Sequence, residues 1–133
     1  MTVVLDSGVW VSALHFGGTP RLALEKALAV DRIAICDQLV AEIVRVLVGK
    51  LDWEPRRLSQ SLSFYLQEVV HVPVRGKLTG ICRDPNDDFI LECAVAAKAT
   101  LIISGDHDLC ALHRYQDIRI ITPRQYTSAR WPK

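Results

Sequence analysis

The chain has 133 residues, 50% of them hydrophobic and 23% charged, with 16 Lys+Arg against 15 Asp+Glu. A chain of this length buries roughly two-thirds of its unfolded surface, so one domain with one well-filled core is expected and a disordered polyelectrolyte is excluded. A formal charge of +1 also excludes a domain that holds nucleic acid by bulk basicity; any RNA or DNA must be gripped locally.

Short β-rich runs alternate with helix-period segments along the whole length, the mark of an α/β fold with a mostly parallel sheet. The first strand is Val3–Leu5, followed by a helix after Ser7. Thr19 then reads as an N-cap with Pro20 at the first helical position. A strand at Ile33–Cys36 leads to a helix opened by Asp37 and running to about Gly49, and a longer helix begins near Pro55. After a weaker strand near Val70–Val74, Asp84 reads as an N-cap and Pro85 as the first helical residue. Ile90, Leu91, Ala94, Val95 and Lys98 follow at helical spacing. Strands at Leu101–Ser104 and Ile118–Ile121 and a short helix after Thr122-Pro123 complete the pattern. The strands are almost continuously apolar, which suits burial on both faces. The four cysteines have neither metal spacing nor the density of a secreted scaffold, so reduced thiols are expected. The N-terminus lacks a basic segment before its first acid, and no apolar run approaches the ~18 residues of a membrane span, so a soluble cytoplasmic protein is expected.

In open parallel sheets ligands lie beyond the carboxyl ends of the strands. Asp6 directly follows the first strand, and Asp106 follows Leu101–Ser104 after Gly105; if these strands are neighbours, their carboxylates face each other. Glu42 lies three residues after Leu39, on the apolar stripe of its helix, where an acid is out of place; it also fits a stripe-edge residue paired with Arg45. Asp87 begins the inward face of the next helix and would equally serve as its third-position acid near the positive end of the dipole. Asp84 reads as a cap first and a ligand second, and Asp88 as pointing away. Carboxylates that converge repel one another, so such a cluster is costly unless protons or cations neutralise it. An all-oxygen ligand set suits Mg²⁺ or Mn²⁺ rather than zinc. A divalent ion there polarises phosphoryl oxygens and acidifies water, which points to phosphodiester hydrolysis, although a monoester phosphatase would use the same logic.

The segments Val4-Leu5-Asp6-Ser7-Gly8-Val9, Ala41-Glu42-Ile43, Asp84-Pro85-Asn86-Asp87-Asp88-Phe89-Ile90-Leu91-Glu92 and Ser104-Gly105-Asp106-His107-Asp108-Leu109 resemble, in order and spacing, the PIN-domain ribonucleases, in particular the VapC-like toxin branch. The resemblance implies a three-layer α/β/α fold with a central mostly parallel sheet over residues 1–133. It also implies Mg²⁺- or Mn²⁺-dependent cleavage of RNA to 5′-phosphate and 3′-hydroxyl ends. Residue by residue, it places the family's four acids on Asp6, Glu42, Asp87 and Asp106, with Asp6, Asp87 and Asp106 as metal ligands and Glu42 orienting water or completing the shell. Asp108 matches an additional acid and Ser104 the hydroxyl that supports the fourth. Gly8 departs from the family's usual Asn. A small antitoxin partner and a homodimer are the implied assembly.

Other readings compete. A non-catalytic PIN-like module for RNA or protein would keep the fold without the chemistry, with Gly8 marking its loss. A receiver-type phosphoacceptor needs a lysine after a late strand, whereas Lys98 precedes its strand. His107 reads as an exposed turn residue and Gly17-Gly18-Thr19-Pro20 as a connection. His15, His71 and His113 show no ligand spacing. Arg83, Arg114, Arg119, Arg124 and Arg130 are candidate phosphate contacts or plain surface arginines. Trp10 and Phe16 read as core before base-stacking, and Trp53 precedes a mobile-looking helical arm that is a candidate partner contact.

Overall fold

The computed structural model describes residues 1–82 and 84–128, so Arg83 and Arg130 lie outside the described residues. Six strands, β1 (Thr2–Leu5), β2 (Arg32–Ile35), β3 (Val70–His71), β4 (Leu101–Ile103), β5 (Arg114–Tyr115) and β6 (Ile118–Ile121), form one sheet in the order β3-β2-β1-β4-β6-β5. All pairings are parallel except β5 with β6. The helices are α1 (Ser7–His15), α2 (Gly18–Val30), α3 (Asp37–Gly49), α4 (Pro55–Leu66), α5 (Asp88–Ala96), α6 (His107–Cys110) and α7 (Pro123–Thr127). Steps from β1 to β2 to β3 run one way across the sheet and the step to β4 runs back. Right-handed crossovers therefore put α5 on the face opposite α1 to α4 and give the three-layer α/β/α architecture.

Burial follows the apolar runs. Val3, Val4, Leu5, Ala34, Ile35, Ile102 and Ile103 are wholly inaccessible on both faces of the sheet, as helices on either side require. Trp10 is fully buried and meets the Tyr65 ring edge-on at 6.0 Å, whereas Phe16 is 72% exposed and is not core. The arm that starts at Pro55 is docked: Leu58 and Leu62 are buried, the Trp53 indole N–H donates to His15 Nδ1 at 2.8 Å, and Arg57 stacks 3.9 Å above the Trp53 ring. The four thiols are free, with Cys36, Cys82 and Cys93 buried.

Several element boundaries differ from the sequence reading, each for a local reason. α2 begins at Gly18 behind Gly17 (φ 80°), not behind Thr19; Pro20 still fits because the first-turn amides have no intrahelical partner. By contrast, α3 opens at Asp37 and runs to Gly49 as expected, with Cys36 at its cap position. β3 stops at His71, with one further bond from Val72 N to Ile35 O (2.9 Å), because Pro73 has no N–H to continue the ladder. A 3₁₀ turn, Pro85–Asp87, intervenes between Asp84 and α5. Lys98 (φ 55°) lies beyond α5, where Ala99 N closes the helix end on Ala94 O at 2.9 Å. The antiparallel β5 was not anticipated: a two-residue strand shows no alternation, and its turn uses Gln116 at φ 53° rather than glycine.

Candidate active site

The strand order reverses at β1, which passes to β2 on one side and neighbours β4 on the other. Leu5 pairs with Ile103, and Asp6 N donates to Ile103 O at 3.0 Å. The two strand ends thus open side by side into the crevice where parallel sheets bind ligands.

Asp6, 4% exposed, is the N-cap of α1: its Oδ1 accepts from Val9 N at 2.8 Å and its Oδ2 accepts a short hydrogen bond from Ser104 Oγ. The same Ser104 oxygen accepts from Asp106 N at 3.0 Å, and Asp106 Oδ1 caps α6 by accepting from Leu109 N at 3.0 Å. One inaccessible hydroxyl therefore ties the first acid to the backbone of the fourth, so Ser104 serves both. Asp87 ends the 3₁₀ turn, its N–H bonded to Asp84 O at 3.0 Å, and its buried Oδ2 has no hydrogen-bond partner among the described residues. Glu42 enters from α3, with Arg45 Nη2 at 3.4 Å from its Oε1.

Asp6, Glu42, Asp84, Asp87 and Asp106 line one cavity of about 420 Å³, and among its described lining residues there is no lysine or arginine. The electrostatic cost shows in the shifted pKa values. Burial, opposed by the Ser104 and Val9 hydrogen bonds and reinforced by Asp106 and Glu42, pushes the Asp6 carboxyl up to about 6. Burial, then the charges of Asp106, Asp84, Asp6 and Glu42, push Asp87 up to about 7. Asp108 and His107 are exposed and lie outside this lining, whereas Pro20 forms part of the wall.

Asp88 does not point away. It is 4% exposed and its Oδ1 accepts from Cys82 N at 2.7 Å. The 3₁₀ turn advances about 120° per residue rather than 100°, which rotates the face that a continuous helix from Pro85 would have shown. Glu92, one turn later, carries a role that the sequence reading missed: its two oxygens accept from Arg75 N at 2.7 Å and Leu78 N at 2.9 Å. The signal was available, since positions 88 and 92 share a helix face. Together they hold the segment that leads to Asp84 and Asp87.

The donor set fits a hard divalent cation. Every candidate ligand is a carboxylate oxygen, and among the described residues one of these oxygens is buried without a partner and no side-chain cation on the cavity wall competes. Among the described residues no group of three or more His, Cys, Asp or Glu side chains stands ready-made to hold a metal ion; Mg²⁺ or Mn²⁺ needs only one or two carboxylates and completes its shell with water. Gly8 sits beside this set in the first turn of α1, where an added Cβ would meet only Asp6 Oδ1, at 3.5 Å. Gly8→Ala is therefore expected to fold with a gain of up to about 0.5–1 kcal/mol and to leave cleavage within about twofold; urea unfolding and an activity assay check both.

A PIN-domain family model matches residues 2–108. VapBC2 from Rickettsia felis, bound to a DNA fragment from their promoter, matches with a TM-score of 0.62 at 16% identity, over 92% of this chain and 98% of that one. VapC20 from Mycobacterium tuberculosis, a Sarcin-Ricin loop cleaving toxin, matches with a TM-score of 0.59 at 12% identity, over 88% of this chain and 98% of that one. At those identities the likeness is one of fold. Curated protein sequences gave no significant match. The family model spans both strand-end aspartates and the helices between them, and the chain belongs to the PIN-domain family.

Proposed function

We propose that this protein is a Mg²⁺- or Mn²⁺-dependent ribonuclease acting as the toxin of a toxin–antitoxin pair. The observation that carries the reading is a single cavity of five carboxylates in which, among the described residues, no cation lines the wall and one carboxylate oxygen has no hydrogen-bond partner. Membership in the PIN-domain family and the fold shared with VapBC2 and VapC20 support it.

Asp6, Asp87 and Asp106 would hold the ion, directly or through water. When bound, it neutralises the phosphodiester oxygens and acidifies water. The two capped aspartates are fixed before substrate arrives: each keeps one oxygen on a helix amide, and Ser104 holds Asp6 from the β4 side. Glu42 faces the cavity from α3 and orients the attacking water at its carboxylate. Attack at phosphorus with loss of the 3′-oxygen, which takes up a proton, leaves 5′-phosphate and 3′-hydroxyl ends. Asp84 sits on the rim, Ser104 is a positioning residue, and Asp108 is a supporting acid outside the lining.

A small antitoxin is the proposed protein partner, and an apolar furrow of about 420 Å³ between α3 and α4, walled by Val44, Val48, Leu58, Leu62 and Leu66, supports one. A homodimer and cytoplasmic action rest on the family resemblance. No helix among the described residues is long and apolar enough to cross a membrane.

Metal titration followed by thermal unfolding is the direct test. Mn²⁺ or Mg²⁺ at a hundredfold excess over its dissociation constant at pH 7.5 should stabilise the protein by about 2.7 kcal/mol, and the same metal concentration should stabilise it less at pH 5, where Asp6 and Asp87 hold protons. Chelation should stop RNA cleavage. Cleavage that survives chelation, or RNA held without cleavage under Mn²⁺, overturns the reading.

A further inference from the structure

Beside the acidic cavity lies a second cleft of about 600 Å³, lined by Gln38, Ala41, Glu42, Arg45 and Phe89. Glu42 lines both, so the two adjoin at this residue. Their surfaces differ in kind. The first offers acids; the second offers a cation, an amide and a half-buried aromatic side chain. Arg45 is its sole described charged residue besides Glu42, and the Gln38 amide donates to Val74 O at 2.9 Å.

We infer that this cleft is a nucleotide subsite for single-stranded RNA next to the cleavage position, with Phe89 stacking a base and Arg45 taking a phosphate. The inference rests on the ribonuclease reading and extends it to where the strand continues. A polyanion cannot run on past five carboxylates without a cation close by, and Arg45 supplies one at the junction. Its present bond to Glu42 is a single contact at 3.4 Å with the arginine side chain 58% exposed, so it is weak and readily exchanged. A phosphate offers the guanidinium a paired geometry instead. As Arg45 moves to the strand, Glu42 is released toward the cavity, which couples substrate binding to the freedom of the water-orienting acid. Phe89, at the start of α5, has a π-face that accepts any base, so stacking there is tolerant of sequence.

The test is photocrosslinking of a single-stranded hexaribonucleotide carrying 5-iodouridine, with the attached peptide mapped by mass spectrometry, beside anisotropy titrations over a range of salt. Crosslinks to Phe89 are expected. Phe89→Leu, which keeps bulk but removes the π-face, should weaken binding about tenfold. Arg45→Ala should weaken it and flatten the slope of log K against log salt by about 0.7, with Arg45→Lys restoring the slope. Crosslinks confined to other residues or absent, or an unchanged slope in Arg45→Ala, overturn the subsite. Cleavage by wild type without a Phe89 crosslink rejects the subsite and keeps the nuclease. A Phe89 crosslink with no cleavage rejects the nuclease and keeps the subsite.

Discussion

Asp6→Asn is expected to reduce RNA cleavage by more than about 100-fold while the metal-free protein becomes harder to unfold at neutral pH. The loss of activity follows from the proposed metal-ligand role: changes that only disturb the surroundings of a ligand already cost about 10- to 100-fold. The gain in stability follows from the raised pKa. Burial raises the Asp6 carboxyl from 3.8 to about 6, so the folded state holds the proton more tightly than the unfolded chain does. The ionised carboxylate is therefore a cost, absent below about pH 4, growing as pH rises toward about 6 and full above it. At 1.36 kcal/mol per unit its size is on the order of 3 kcal/mol. Asparagine has no such charge and can still accept from Val9 N, but its amide cannot accept the Ser104 proton, which returns about 1 kcal/mol of the gain. The variant should unfold a few degrees higher than wild type at pH 7.5 and slightly lower near pH 4, where the charge cost is gone and only the lost Ser104 bond remains. Undiminished cleavage, or a lower midpoint at pH 7.5, refutes the assignment.

The second large effect is expected at a residue outside the cavity. Glu92→Ala removes the acceptor of both Arg75 N and Leu78 N; with charge-assisted bonds lost, destabilisation of about 2–4 kcal/mol is expected. Glu92→Gln keeps one accepting oxygen and should fall between the two. The backbone hydrogen bonds hold the Glu92 carboxyl below its usual range, so its contribution is present above the unfolded value near 4.5 and disappears as pH falls through the lower folded value. Wild type should thus lose this increment in acid while the alanine variant has none to lose. Amide hydrogen exchange at Arg75 and Leu78, with urea unfolding across pH, reads both. Cleavage should fall as well, because the anchored segment leads to Asp84 and Asp87. Unchanged exchange at these two amides would sink the anchoring role.

What the sequence made legible was whatever depended on strand ends and on the regular period of a helix. Asp6 and Asp106 could be placed because apolar runs mark where buried parallel strands stop, and Glu42 because an acid interrupts an otherwise apolar stripe. The last helix could be placed after Thr122-Pro123, and the structure adds a capping box there between Thr122 and Gln125. What escaped depended on departures from regular geometry. The 3₁₀ turn at Pro85–Asp87 turned Asp88 inward, and the loop held by Glu92 has no period at all. The cap of α2 moved to Gly17, whose positive φ no side-chain pattern announces. The Phe89 and Arg45 cleft joins two helices far apart in the chain, so no local pattern could reveal it.

Asp6 and Asp106 each terminate a strand-to-helix passage by capping the helix that follows. Their selection is therefore twofold, and the two pressures do not part company when one is lifted. A descendant without the proposed nuclease activity would still be filtered for Asp, Asn, Ser or Thr at both places, since alanine would forfeit about 1 kcal/mol at each helix start. Asp87 and Glu42 cap nothing through their side chains, so they would drift first. Among natural variants of this fold, the erosion of those two is the mark by which a retired enzyme can be told from a working one.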